Sequence, residues 1–262
     1  MIHHTDLCKL KEILIDLKKY GCIGVKISFE DEGALLDDAI TIRYITASLQ
    51  LLCTVKISGA EAKKDIAQCN ALCADKIVAP MIETDFALTK FIKAIETYQY
   101  SGQIGYNLET ITAYHQLYEN KMDTNIKKID FITVGRTDFV QSMQYNNPDD
   151  FIHADHPQLL EYCKNIFRIV KEKKCTIKCC LGGTIQRGSK SFIESLYNQS
   201  LLDFFETRYI LFDMTLFDLN QYEKALLLAK EFEINWIRYM SNRNMHFAQK
   251  DSVRLQVLEN RI

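Results

Sequence analysis

Short, unbroken apolar runs rich in β-branched residues alternate with stretches of helical periodicity, and this alternation constrains the fold more than any other feature. The runs are GCIGVKISF (21–29), LLCTVKIS (51–58), DKIVAPM (75–81), QIGYNLE (103–109), KIDFITVG (128–135), CTIKCCLGG (175–183) and RYILFDM (208–214). Helical spacing fills about 33–50, 60–73, 84–97, 110–122, 157–173 and 189–200 between them, and a helix over 6–20 (Leu7, Leu10, Ile13, Leu14, Leu17) precedes the first. Strands apolar on both faces and joined by helices belong in a parallel sheet. Strand starts lie roughly 25–50 residues apart, the length of a strand–helix unit. The expected class is α/β, a TIM-type (β/α)8 barrel, with an open doubly wound sheet as the alternative. Seven strands are visible, so the eighth is expected to be the first, missing or modified, ahead of residue 21.

One domain is expected over 1–262, with 218–262 a C-terminal helical extension. In its last part Phe232, Trp236 and Met240 recur at helical spacing. That face either packs on its own barrel or meets a second copy, and a homo-oligomer is expected.

Bulk properties narrow the function classes. A formal net charge of −2 with no basic block gives nucleic-acid binding little electrostatic support. There is no apolar run of about 18 residues, so no membrane span is expected. The start, MIHHTDLCKLKEI, lacks the apolar core of a secretory signal. Nine cysteines, many in apolar positions, read as free thiols in a reducing cytoplasm. Cys69 and Cys73, and the adjacent Cys179 and Cys180, do not have zinc-knuckle spacing. His153 and His156 form an H-x-x-H off a helix, poor grounds for a metal site. Serine hydrolase, NTPase and dinucleotide motifs do not occur.

The informative residues end the strand-like runs, where ligands bind in parallel α/β proteins. Glu109 and Asp138 end two successive runs. A charge at the end of a core strand needs a partner, and two such carboxylates could share one divalent cation, Mg²⁺ or Mn²⁺. Glu30, Asp31 and Glu32 crowd the end of the first run. They either cap the next helix or supply an acid–base group. Lys56, inside TVKIS, could hold a substrate carboxylate as a point charge or act as a Schiff-base nucleophile. Gly59 allows close backbone approach before a helix N-terminus. Glu83 is either a cavity residue or a first-turn helix residue. Arg136 either pairs structurally with Asp138 or clamps a substrate carboxylate. The segment 140–156 is long enough to be a lid.

Together these strand ends resemble the HpcH/HpaI aldolase and citrate lyase family over roughly 20–215. The segments that carry the resemblance are VKISGAEAKKDI (55–66), IVAPMIET (77–84), YNLETITAY (106–114) and IDFITVGRTDF (129–139), with GGTI (182–185) and ETR (206–208) similar to the citrate-lyase-like branch.

The resemblance implies a (β/α)8 barrel that binds Mg²⁺ or a similar cation through Glu109 and Asp138. It implies carbon–carbon bond cleavage or formation through a metal-stabilised enolate of a keto acid or acyl-CoA-type substrate. Two departures stand out. Lys56 occupies the place of a family arginine, and EDEGA (30–34) stands where the aldolase branch has a histidine. The expected activity is a metal-dependent carbon–carbon lyase with Lys56, Glu32 and Glu30 in catalysis, and Lys56, Gly59, Arg136 and Glu83 binding substrate. The alternatives are a Schiff-base aldolase using Lys56 and a non-catalytic barrel that binds a small acid or a protein partner.

Overall fold

A computed structural model describes residues 2–30, 32–146 and 153–259. Helix α1 (Ile2–Lys18) leads into β1 (Cys22–Ser28). The chain then runs through α2 (Leu36–Ser48), β2 (Leu52–Lys56), α3 (Lys63–Ala71), β3 (Lys76–Ala79), α4 (Asp85–Thr97) and β4 (Gln103–Leu108). Next come α5 (Ile111–Tyr118), α6 (Asp123–Ile126), β5 (Phe131–Gly135), α7 (Arg136–Asn146), α8 (Pro157–Lys173), β6 (Lys178–Gly182) and α9 (Lys190–Tyr197). The last elements are β7 (Phe204–Glu206), β8 (Ile210–Asp213) and α10 (Tyr222–Glu259).

The eight strands close into a barrel in sequence order. Strands β1 to β7 run parallel, whereas β8 is antiparallel to both β7 and β1, so the barrel is mixed. The first strand is present as Cys22–Ser28, which corrects the expectation of a missing one. The strand hidden from the sequence is the three-residue β7, joined to β8 by the tight turn Thr207–Tyr209.

Outward-facing strand residues such as Val25, Val55, Ile77, Tyr106, Ile132, Leu181 and Phe205 are buried against the surrounding helices. Their burial is the main force closing the barrel. Helix starts are fixed locally: Thr84 and Thr110 accept the N–H groups of Ala87 and Ala113, and His156 accepts that of Gln158. The barrel floor is closed by Lys76, which lies 5.0 Å from the Phe131 ring centroid and 4.8 Å from that of Phe204. Burial lowers the pKa of Lys76.

One device repeats at the N-terminal ends of the strands. Asp75, Asp130 and Asp203 each immediately precede an odd-numbered strand. Each accepts the N–H of the second residue of the preceding even strand: Cys53 at 2.8 Å, Ile104 at 2.8 Å and Cys179 at 2.9 Å. These bonds set neighbouring strands in register at the end opposite the cavity.

Phe232 and Trp236 are fully buried, and α10 packs along α1. The first part of the extension is therefore core, while Ile234, Ile237, Met245, Val253 and Leu255 are exposed. No helix among the described residues is long and apolar enough to cross a membrane.

Candidate active site

Alternation along the strands sends every second side chain into the barrel. At its C-terminal end these side chains line a cavity of about 510 Å³, walled on one side by Leu226, Ala229, Lys230 and Glu233 of α10. Six carboxylates and four cations line it: Glu30, Glu32, Glu109, Asp138, Glu206 and Glu233 against Lys26, Lys56, Arg208 and Lys230.

Glu109 follows β4 and is 1% exposed. Its Oε1 accepts the Met81 N–H at 2.9 Å, and its Oε2 accepts the Asn107 amide at 3.0 Å. Met81 adopts φ +50°, the left-handed region, as it presents that N–H. Burial pushes the Glu109 pKa up, and the facing Asp138 charge adds to the rise. The Met81 N–H, Lys56 and the Asn107 amide oppose it. Asp138, in the first turn of α7, lines the same cavity. Asn107 is 7% exposed, and its buried Oδ1 has no hydrogen-bond partner among the described residues.

Lys56, Glu30 and Glu32 also line the cavity. Lys56 Nζ lies 3.0 Å from Glu30 Oε2. Glu32 accepts the Ser28 N–H at 3.2 Å and lies 3.5 Å from Arg208 Nε. Asp31 lies outside the described residues.

Three expected substrate-binding residues do not line the cavity. Arg136 is fully buried, and its N–H groups donate to the carbonyls of Ala154, Gly182, Gly183 and Thr184, to Ser189 and to Asp155. It clamps the loop after β6 to the segment just before α8. Gly59 is half-buried, and a Cβ there would meet nothing within 4 Å, so no close approach requires glycine. Glu83 is half-buried beyond the cavity wall. The first half of the expected lid is the end of α7, and 147–152 lie outside the described residues.

Sequence reasoning missed Lys26 and Glu206. They project from β1 and β7 and form an ion pair near the cavity floor, their side chains 14% and 9% exposed. Burial alone would lower the Lys26 pKa, but Glu206 holds it raised. A signal for Lys26 existed: VKIS occurs at 25–28 as well as 55–58, so Lys26, like Lys56, is a lysine inside an apolar strand.

No group of three or more His, Cys, Asp and Glu side chains among the described residues could hold a metal ion by itself. A cation here would rest on Glu109 and Asp138. Two carboxylates with water and substrate oxygens suit Mg²⁺. The residues fit that group: the donors are all oxygen, Asn107 donates its amide to Glu109 and its Oδ1 has no partner among the described residues, and the excess of two carboxylates matches one divalent charge.

No family model and no curated protein matches the chain in sequence. Solved structures do match in fold. An HpcH/HpaI aldolase from Desulfitobacterium hafniense DCB-2 aligns at TM-score 0.59 and 7% identity, over 85% of this chain and 87% of that one. An HpcH/HpaI aldolase/citrate lyase family protein from Burkholderia cenocepacia J2315 aligns at 0.56 and 9%, over 86% and 84%. The citrate synthase SbnG aligns at 0.56 and 13%, over 80% and 83%. This chain therefore shares the barrel fold of the HpcH/HpaI aldolase and citrate lyase structures, the family its strand ends resemble.

Proposed function

We propose that this protein is a divalent-metal-dependent carbon–carbon lyase of the aldolase or citrate lyase type, acting on a small keto acid. The observation that carries this reading is that Glu109, just after β4, and Asp138, in the first turn of the helix after the adjacent β5, line one polar cavity. In this reading they hold Mg²⁺ or Mn²⁺, which when bound would supply Lewis-acid stabilisation of enolate charge. Lys56 holds the substrate carboxylate as a point charge. Glu32 or Glu30 moves the proton at the reacting carbon or oxygen. Free cysteines support a cytoplasmic setting, and the exposed apolar residues of α10 support a homo-oligomer.

A Schiff-base aldolase at Lys56 is the weaker enzymatic reading, because its amine is engaged by Glu30. A non-catalytic, acid-binding barrel would bind ligand with no turnover.

The test is titration of the purified protein with Mg²⁺ and Mn²⁺, with and without pyruvate or oxaloacetate, beside Glu109→Gln and Asp138→Asn. Metal binding that tightens with keto acid and is lost in both variants is expected, followed by cleavage of a 4-hydroxy-2-keto acid. No metal binding by the parent protein would sink the reading.

A further inference from the structure

The turn before α8 is held by two imidazoles that act as acceptors. His153 Nδ1 accepts the Asp155 N–H at 3.2 Å, and His156 Nδ1, at the N-cap of α8, accepts the Gln158 N–H at 3.2 Å. The His156 N–H donates in turn to the His153 carbonyl at 2.9 Å. A ring nitrogen accepts only while it carries no proton, so both bonds require a neutral imidazole with its proton on Nε2. Protonation turns each Nδ1 into a donor facing an N–H. It also puts charge on two rings whose centroids are 5.7 Å apart, one of them at the N-terminus of a 17-residue helix, where positive charge is disfavoured. His153 is exposed and His156 half-buried, so protons reach both.

The same turn is tied to the cavity wall by one side chain. Arg136 Nη1 donates to Ala154 O at 2.9 Å and to Asp155 Oδ1 at 2.6 Å, while its Nε and Nη2 donate to the carbonyls of Gly182, Gly183 and Thr184. Those three residues line the cavity. An imidazole ordinarily titrates between about pH 5 and pH 8. The other charged and titratable groups on the elements that meet the turn behave differently. Burial alone would raise the Asp155 pKa, but Gln186, Ser189 and Arg136 outweigh it and hold it below the usual carboxylate value, so its pair with Arg136 persists where imidazoles gain protons. Glu161 of α8 pairs with Lys164, and Arg187 of the loop after β6 pairs with Glu223 of α10. Burial pushes the Cys163 thiol up to about 12 and raises the Tyr222 hydroxyl, so both stay neutral. Among the described residues, the two histidines are left as the groups of this turn that change charge just below neutral pH.

We propose that His153 and His156 form a proton-operated latch on the cavity wall, closed while both imidazoles are neutral and released when they are protonated. Release frees Ala154 and Asp155, and with them the guanidinium that holds Gly182, Gly183 and Thr184 in place. The latch works in this way whatever reaction the cavity performs.

The experiment is NMR of the full chain, labelled with ¹⁵N, at pH 7.5 and pH 5.5. Imidazole ¹⁵N shifts report the tautomer, and hydrogen exchange is read at the Asp155 and Gln158 amides and at Arg136 Nε–H, each against its intrinsic rate at the same pH. At pH 7.5 both histidines should carry their proton on Nε2 alone. At pH 5.5 protection of the two amides should fall at least tenfold, and that of Arg136 Nε–H should fall with it. The informative variant is His153→Asn/His156→Asn. Asparagine caps a helix well and its oxygen accepts at either pH, so the variant should keep the same protection at both. A proton on Nδ1 at pH 7.5, unaltered protection at pH 5.5, or an equal loss in the double variant would overturn the proposal. Loss at the two amides with Arg136 Nε–H still protected would also overturn it, because the turn would then open without reaching the cavity wall. The first two measurements use the parent protein alone and decide the matter even if the variant does not fold.

Discussion

Gly135 makes room for Glu109. A Cβ added at Gly135 would lie 2.7 Å from Glu109 Oε2 and 3.0 Å from Glu109 Cβ. Glycine at the end of β5 therefore leaves the space that the Glu109 carboxylate occupies in the cavity that Asp138 also lines. The Gly135→Ala variant should stay folded, at a cost of about 1–3 kcal/mol from overpacking. Its Mn²⁺ affinity should fall about 10–100-fold, as when a group orienting a metal ligand is changed. Mn²⁺ titration beside urea denaturation checks both numbers. Unaltered affinity would mean that Glu109 does not hold the cation.

Lys56 is predicted to act on substrate more than on stability. Its partner Glu30 has a side chain 40% exposed, so breaking the pair leaves a carboxylate that water can reach. Lys56→Met should cost under about 1 kcal/mol in folding. Its effect on pyruvate should be larger, about 10–100-fold in affinity for one lost charge-assisted contact. Lys56→Arg should retain most of it. The measurement is the gain in Mn²⁺ affinity on adding pyruvate. A variant that melts early yet keeps that gain would make Lys56 purely structural.

Most strands were legible because their apolar runs are four residues or longer and helical periodicity separates them. β7 was not, because Phe204, Phe205 and Glu206 run through Thr207-Arg208-Tyr209 into β8 with no glycine or proline to mark the turn. Glu206 was lost with that strand, and so was its pair with Lys26. That Glu109 and Asp138 line the cavity was legible because each follows an apolar run, where a charge calls for an explanation. The partners of Arg136 were not legible, because the carbonyls and the carboxylate that accept from it lie 18 to 48 residues further along the chain.

Arg136 should behave as a structural clamp. Removing it leaves the carbonyls of Gly182, Gly183 and Ala154 short of donors and Asp155 without its cation. Arg136→Met should destabilise the fold by about 3–5 kcal/mol, the scale for breaking a buried pair. Lys cannot supply the planar fork, so Arg136→Lys should recover only part of this. Urea midpoints decide the matter. A fully stable Arg136→Met protein with weakened pyruvate binding would return the residue to the substrate.

Asp203 supplies a pH-dependent contribution at the barrel floor, far from the cation site. Burial alone would raise its pKa, but the Cys179 N–H and the ammonium groups of Lys171 and Lys178 outweigh that and hold it below the ordinary value of 3.8. As pH falls, the unfolded chain takes up this proton before the folded one does. The stabilisation is therefore fully present above about pH 4 and is lost as pH drops through the depressed folded value. Asn at this position keeps an acceptor for the Cys179 N–H but loses the charge that pairs with Lys171 at 2.9 Å and Lys178 at 3.0 Å. Asp203→Asn should cost about 1–3 kcal/mol at pH 7. The gap between parent and variant should hold from pH 7 to pH 5 and narrow below pH 4. Urea midpoints at pH 7, 5, 4 and 3 test the sign directly. A gap that stays constant down to pH 3 would show that the hydrogen bond to Cys179 carries the effect and the ion pairs do not.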